Sequence, residues 1–499
     1  MLIPIALSAA LSASQDLQPS GSVFLPAPVV EVARTNSARH DWARQARDRL
    51  VAAAAPWMEM SDERLWSLMF GNTIKRSWMV WSNGHCPSCK RDVPMYTWEI
   101  AALERPWKVR CPHCKEIFPK NDFARFYSSG LDEKGIFDPK RADRSLLYNV
   151  EHPDPGDPLR SFGVDDGEGY VDGDKRWRFI GAYLIYGQWK QAVVAGIRNL
   201  AAAYVVTGDA AYAHRAGVLL DRVADVYPSF DFGKEGVMYE GPPSAGYVST
   251  WHDACEETRQ IALAYDQVRP ALARDGELVR LLAEKARRYG LSNPKAAWAD
   301  VRRNIEDGLL RDPLIHRERI HSNYPRTEIT LATLLMVLGW PANRDEVYAI
   351  VDPMLEKATA VDGVTGEKGL AGYSAFTIQG VAGFLAELAR LDPALVQDLL
   401  RRHPAIHDMF RFHVDTWCMG TYYPQTGDTG GFAAPFQRYA GASFSQVPGV
   451  EPSMFSLMVL LYRLTGDPVY AQLAYLANGE SAKGLPHDLF RDDGARCER

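Results

Sequence analysis

The sequence predicts a mainly α-helical protein, an (α/α) toroid or incomplete α/α barrel interrupted by one small cysteine-bearing module. Apolar residues recur three and four positions apart from Gly187 onward, and almost no alternating strand pattern competes with them. The run Tyr204-Val205-Val206-Thr207-Gly208-Asp209-Ala210-Ala211-Tyr212-Ala213 returns as Tyr462-Arg463-Leu464-Thr465-Gly466-Asp467-Pro468-Val469-Tyr470-Ala471. In each copy Gly ends one helix in a left-handed conformation, Asp caps the next, and Tyr anchors the packing on either side. Each copy is thus an αα-hairpin with a very short turn, the unit from which α/α barrels and toroids are stacked. An irregular helical bundle is the other architecture such hairpins permit.

At 499 residues the chain exceeds one ordinary core, so one large domain with smaller additions is expected. Residues 1–20 form an apolar run that ends in small residues, as a secretory signal peptide does, although a basic n-region is missing. That leader predicts a secreted or periplasmic protein. Residues 21–80 make an N-terminal helical segment, with helices expected over Asp41–Ala55 and Ser61–Phe70. Residues 81–125 hold the cysteine module, and residues 126–180, rich in Gly, Pro and Asp, form a long ordered loop. Residues 181–485 build the toroid, and residues 486–499 are a tail. Within the toroid, helices are expected over Gln188–Val206, Asp209–Val226, Thr250–Val268, Gly276–Tyr289, Lys295–Leu310, Arg326–Leu338, Arg344–Thr359, Tyr373–Leu391, Pro393–Arg402 and Pro404–Thr416.

Composition narrows the function classes. Apolar content of 46% and charged content of 24% match a globular chain, and no internal stretch approaches about 18 consecutive apolar residues, so no membrane span is expected. A net charge of −6 gives no electrostatic support for nucleic-acid binding, which rests on clustered Lys and Arg. A local basic cleft can still hold a sulfated or carboxylated polymer.

Four of the seven cysteines form Cys86-Pro87-Ser88-Cys89 and Cys111-Pro112-His113-Cys114, with twenty-one residues between the pairs. This is close to the spacing of a structural zinc ribbon, in which each knuckle gives two thiolates to a tetrahedral ion. Two disulfides are the alternative, and the two-residue spacing suits a metal knuckle better. Four protein ligands leave no open coordination position, so the zinc is expected to be structural, and no organic cofactor is expected. His85 and His113 flank the knuckles as exposed neighbours or substitute ligands. Cys255, Cys418 and Cys497 read as free thiols.

Two stretches put polar, proton-handling side chains at the mouths of apolar helices. They are Ile320-His321-Ser322-Asn323-Tyr324-Pro325-Arg326 and Glu367-Lys368-Gly369-Leu370-Ala371-Gly372-Tyr373-Ser374. Pro325 disfavours helix for the residue before it and suits a first helical turn, which leaves His321 and Asn323 on a loop at a helix end. Glycines keep the backbone close around Tyr373, which opens the next apolar helix. A His, an Asn and a Tyr on one cleft suit removal of the C5 proton of a uronate. A donor such as Asn or His holds the carboxylate, a base takes the proton, and an acid protonates the departing oxygen at C4. Arg326 stands near enough in sequence to favour a phenolate by its charge.

These residues resemble the heparinase II/III and alginate lyase superfamily of polysaccharide lyases. The Asn loop is similar to Ser322-Asn323-Tyr324, and the Tyr turn to Asp362-Gly363 through Glu367 to Gly372-Tyr373. Further similarity lies in Trp251-His252 with Arg259 and Ala264-Tyr265-Asp266, and in Tyr423-Pro424-Gln425-Thr426-Gly427-Asp428. The resemblance covers roughly residues 178–485 and implies an (α/α) toroid, β-elimination and an acidic polysaccharide such as a glycosaminoglycan or alginate. It implies Tyr373 as the proton-transfer residue, Asn323 as the group that neutralises the uronate, and His321 as base or orienter. Family members often read Asn-His in the first loop, whereas here Tyr324 follows Asn323 and the nearest His stands two positions before it. Such lyases normally continue into a C-terminal β-sandwich, which is expected to be absent because Arg499 follows soon after the last expected helix.

Arg326, Trp251, His252, Tyr239 and Tyr247 are the expected substrate contacts, with Trp189 a further aromatic able to stack on sugar rings. Asp165, Asp166 and Glu168 form either a carboxylate pair or a solvated loop. Two rival functions follow: an α/α-barrel glycoside hydrolase that uses paired carboxylates, and a non-catalytic glycan-binding toroid.

Overall fold

Helices form where the three- and four-residue apolar spacing runs, and their ends sit on capping residues. The computed structural model describes residues 21–80, 85–94, 96–238, 244–361, 363, 373–424 and 441–491. The protein is mainly helical, and the strands among the described residues form three two-stranded ladders. The chain divides into two compact units. One comprises Ala53–Tyr204 and Asp209–Ser322; the other takes residues up to Ala52, Val205–Gly208 and the chain from Asn323 onward. No described helix is long and apolar enough to cross a membrane.

In the unit built on residues 53–322, helix Ala210–Val226 begins where the Asp209 side chain accepts the Ala211 N–H at 2.9 Å. It packs on helix Trp251–Leu272, burying Leu219, Leu220 and Val223 on one side and Ile261, Tyr265 and Val268 on the other. The expected helix over 295–310 starts late, at Trp298. Lys295 adopts a left-handed φ of 52° and turns inward, where its Nζ lies 2.5 Å from Asp221 and 2.7 Å from Asp225. This buried ion cluster outweighs helix propensity. The Asp300 carboxylate then accepts the N–H groups of Ala296 and Ala297 and begins the helix. Helix Asp62–Trp66 is likewise shorter than periodicity suggests, because Leu68, Met69 and Phe70 are buried beyond its end.

The segment expected as one helix over 188–206 is longer and composite. It opens as helix Phe179–Tyr183, widens to a π-helix over Leu184–Val194, and returns to an α-helix over Ala195–Thr207. Hydrogen bonds from i to i+5 put Tyr186 and Gln191 one turn apart on the same face. Asp165 anchors this element's start: its buried carboxylate accepts the N–H groups of Gly167, Gly169 and Ile180 at 2.7–3.0 Å. Burial raises its pKa to about 6 despite those bonds. Asp165 is therefore a loop brace.

The unit that includes the chain from Asn323 onward is made of paired helices. Arg326–Gly339 packs on Arg344–Ala358, Ala375–Leu391 on Pro393–Arg402, and Met454–Thr465 on Val469–Ala477. In the last pair Gly466 caps the first helix at φ 69°, and Asp467 accepts the Val469 N–H at 3.0 Å. Gly208 has the matching φ of 76°, so both copies of the repeat make the same turn. Of the expected anchoring tyrosines in the second copy, Tyr470 is buried and Tyr462 is half exposed. Leu25, Ala33, Ala43, Ala46, Val205, Val206, Leu489 and Phe490 close a small apolar core in this unit.

Candidate metal centre and histidine site

The four cysteines of the paired motifs meet. Their sulfur atoms all lie within 4.8 Å of one another, and Cys86 Sγ stands 3.7 Å from Cys114 Sγ. A tetrahedral ion with bonds of about 2.3 Å to sulfur sets its ligands about 3.8 Å apart, so the cluster fits a metal ion. The two halves share one geometry. Lys90 N–H bonds to Cys86 O and Lys115 N–H to Cys111 O, while Cys86 N–H bonds to Arg91 O and Cys111 N–H to Glu116 O. Both lysines adopt a left-handed φ, 59° and 65°, as a chain doubling back around a knuckle requires. None of the four is disulfide-bonded. His85 Nδ1 lies 2.7 Å from Asp92 Oδ1 and His113 Nε2 lies 2.7 Å from Asp92 O, so both rings serve the module as braces.

The second site gathers at the start of helix Trp251–Leu272. Ser322 Oγ lies 2.9 Å from His252 Nδ1, and the Trp251 ring stands 6.0 Å from that of His321. His321 is exposed on extended backbone, whereas Ser322 is buried. In the helix's first turn, Asp253 accepts a 2.6 Å bond from Lys190 on the π-helix. One further turn on, Glu257 is buried, and its Oε2 accepts from Trp189 Nε1 at 2.7 Å and Ser249 Oγ at 2.5 Å. Its other oxygen has Lys190 Nζ at 3.9 Å. Burial raises the Glu257 pKa to about 7, with Asp253 pushing the same way and Lys190 opposing. Glu257 therefore holds its proton more readily than an exposed carboxylate does.

The other sequence-predicted residues fall in different places. Tyr247 is fully buried; it stacks on Tyr227 at 4.3 Å and donates a 2.5 Å bond to Asp312. This is a core position, not a cleft wall, because Tyr227 covers the ring and Asp312 accepts from its hydroxyl. Trp189 is also fully buried, held by its bond to Glu257. Tyr239 lies outside the described residues, as do Cys497 and the stretches 364–372 and 425–428.

Asn323 and Tyr373 belong to the other unit, with Arg326. Asn323 is exposed, and its carbonyl accepts the Arg326 N–H at 2.9 Å. Tyr373 is half-buried, and its carbonyl accepts the Thr377 hydroxyl at 3.0 Å. Arg326 stacks over Phe376 at 4.5 Å, three residues after Tyr373, and Pro325 packs against Gly380. The mouths of helices Arg326–Gly339 and Ala375–Leu391 thus approach each other.

Sequence reasoning missed Lys190, Asp253, Glu257 and the pairing of Ser322 with His252. Their separations of about seventy residues carry no local spacing signal; only the Trp251-His252 pair was visible. Neither a scan against protein-family models nor a search of curated proteins finds a match to this chain.

Proposed function

We propose that the protein is a polysaccharide lyase of (α/α) toroid type that cleaves uronic-acid-containing glycans by β-elimination. The observation that carries this reading is the cluster of His252, Ser322, His321 and Trp251 at one helix start. Ser322 holds His252 at a defined orientation, while the exposed His321 beside an indole has the access that a base needs toward a sugar ring. The base takes the C5 proton, the C5–H electron pair forms the C4–C5 double bond, and the glycosidic oxygen leaves C4 with a proton from an acid. The family resemblance gives His321 the part of base or orienter, Asn323 that of neutralising the carboxylate, and Tyr373 that of proton transfer. The paired helices and their matched Gly-Asp turns support the toroid.

In this reading Cys86, Cys89, Cys111 and Cys114 bind zinc. All-thiolate ligation closes the ion's coordination, so the zinc holds the module and does no chemistry. The substrate is an acidic polysaccharide, and the protein acts outside the cytoplasm, where such polymers occur.

The pair Asp253 and Glu257 favours a second reading, an α/α-barrel glycoside hydrolase. Burial of Glu257 behind Trp189 and Ser249 weighs against it, since a general acid must reach the glycosidic oxygen. Incubation with a panel of uronate polymers decides between them. A lyase raises ultraviolet absorbance and reducing ends together, a hydrolase raises reducing ends alone, and a binding protein raises neither. His321→Ala and Tyr373→Phe are each expected to lower elimination by at least about 100-fold; full activity in either variant removes that residue from the mechanism.

A further inference from the structure

The chain between the two cysteine knuckles also builds a wall. Val93, Tyr96 and Trp98 face Trp78, Tyr186 and Lys190 across a cleft of about 340 Å³. That volume falls within the range of small-ligand pockets, roughly 300–1,000 Å³. Three rings cluster at its mouth. Tyr96 meets Trp78 at 5.8 Å and 75°, and Tyr186 at 5.8 Å and 77°. Tyr186 in turn donates its hydroxyl to Trp78 O at 2.7 Å.

Two features mark the cleft as a place for a ligand. Tyr96 is 58% exposed, although its ring has every hydrophobic reason to be covered. Its backbone adopts a φ of 69°, a left-handed conformation that a bulky aromatic residue rarely adopts. The fold thus holds a large ring at the surface in an unfavourable conformation. Lys190 lines the same cleft; its ammonium has three N–H donors and uses one on Asp253. Asp253 is the neighbour of His252 in sequence, so Lys190 links the cleft's edge to the helix start that carries the histidine.

The occupant that fits is a pyranose ring. Its apolar C–H face covers aromatic rings, while its hydroxyl and carboxylate oxygens accept hydrogen bonds from an ammonium at the edge. Side-chain hydrogen bonds tie the wall to the chain that follows the knuckles. Gln191 donates to Ile100 O and accepts from Ala102 N, each at 2.9 Å, and Trp177 Nε1 donates to His85 O at 2.7 Å. Both ends of the wall terminate at the cysteine knuckles.

We propose that the metal-bound cysteine module forms one wall of a saccharide subsite, with Tyr96 as its stacking platform and Lys190 as its polar edge. This rests on the polysaccharide reading, and it gives the structural metal a role in substrate binding without a role in chemistry. Metal removal frees the two knuckles, the wall loses its shape, and the subsite is lost.

The test titrates size-fractionated hexasaccharides of alginate, chondroitin and heparan sulfate by calorimetry. It compares wild-type protein, Tyr96→Ala, Tyr96→Phe and Tyr96→Asn, with metal content measured on each. Asn tolerates left-handed backbone, so Tyr96→Asn removes the ring without a backbone penalty. At least one hexasaccharide is expected to bind wild type and Tyr96→Phe within about twofold of each other. Tyr96→Ala and Tyr96→Asn are expected to bind it about tenfold more weakly, the loss of one aromatic contact. Chelation of the metal is expected to abolish binding, and added zinc ions to restore it. Tyr96→Ala and Tyr96→Asn that keep their metal and bind as wild type overturn the subsite. If elimination proceeds in that case, the lyase reading stands without it. Ring-dependent binding with no elimination by wild type supports the subsite and overturns the lyase reading, and binding to none of the three overturns both.

Discussion

Replacing Gln191 with Ala removes both hydrogen bonds that tie the inter-knuckle wall to the π-helix. The side-chain amide gives one bond to Ile100 O and takes one from Ala102 N, each at 2.9 Å. Ala102 is 5% exposed, so water reaches its N–H only if the wall opens. An unmet buried N–H costs about 1–3 kcal/mol, and the half-buried Ile100 carbonyl adds roughly 1 kcal/mol. Local opening of the wall should therefore become easier by about 2–4 kcal/mol, or roughly 30- to 1,000-fold. The effect should centre on Ile100–Ala102, since Glu99 stays bonded to Arg110 in both directions and Trp98 stays packed on Phe118 and Phe179. Hydrogen exchange followed by mass spectrometry over residues 96–106 reads this directly. Faster exchange there is expected in Gln191→Ala, with the metal retained and little change in the Trp251–Leu272 helix. Unchanged protection over that segment, at equal metal content, would refute the claim that Gln191 holds the wall.

Three other outcomes follow from the buried charges and thiolates. Cys86→Ser and Cys111→Ser should each lower bound metal from about one ion per chain, measured by elemental analysis, because each removes one of four ligands; full retention contradicts the four-thiolate site. Lys295→Met leaves Asp221 and Asp225 without the cation between them and should destabilise the protein by about 3–5 kcal/mol in urea unfolding, with Asp221→Asn recovering part of the loss. Glu257 has a folded pKa of about 7, above its ordinary value of 4.5, so it contributes stability that is present below pH 4.5 and lost as pH rises through about 7. Glu257→Gln should accordingly show a smaller fall in Tm between pH 5 and 8 than wild type, and an unchanged pH dependence argues against that raised pKa.

Much of the helix plan was legible because it is written locally. Helix Pro393–Arg402 matches its expected bounds, and Asp209 and Asp467 cap the helices that follow the two Gly turns. The cysteine cluster was legible because two-residue spacing dictates a knuckle whatever the rest of the chain does. The π-helix was not, since a stretch that changes from one helical period to another still reads as apolar and helical. Tyr247 looked like a groove residue on its loop, yet Tyr227 and Asp312, twenty and sixty-five residues away, draw it into the core. Lys190 and Asp253 are ordinary residues in sequence, and nothing there pairs Ser322 with His252. Only tertiary packing gives them partners, and composition and periodicity do not encode which distant side chain arrives.

Elimination by a His321-dependent site is tested by following its product. Wild type and His321→Ala are incubated with uronate polymers while the absorbance of the conjugated double bond and the appearance of reducing ends are followed together. Both signals are expected to rise in step for wild type on at least one polymer and to fall at least about 100-fold in His321→Ala. Reducing ends that appear without the double bond contradict that expectation, as does elimination that proceeds unchanged without His321.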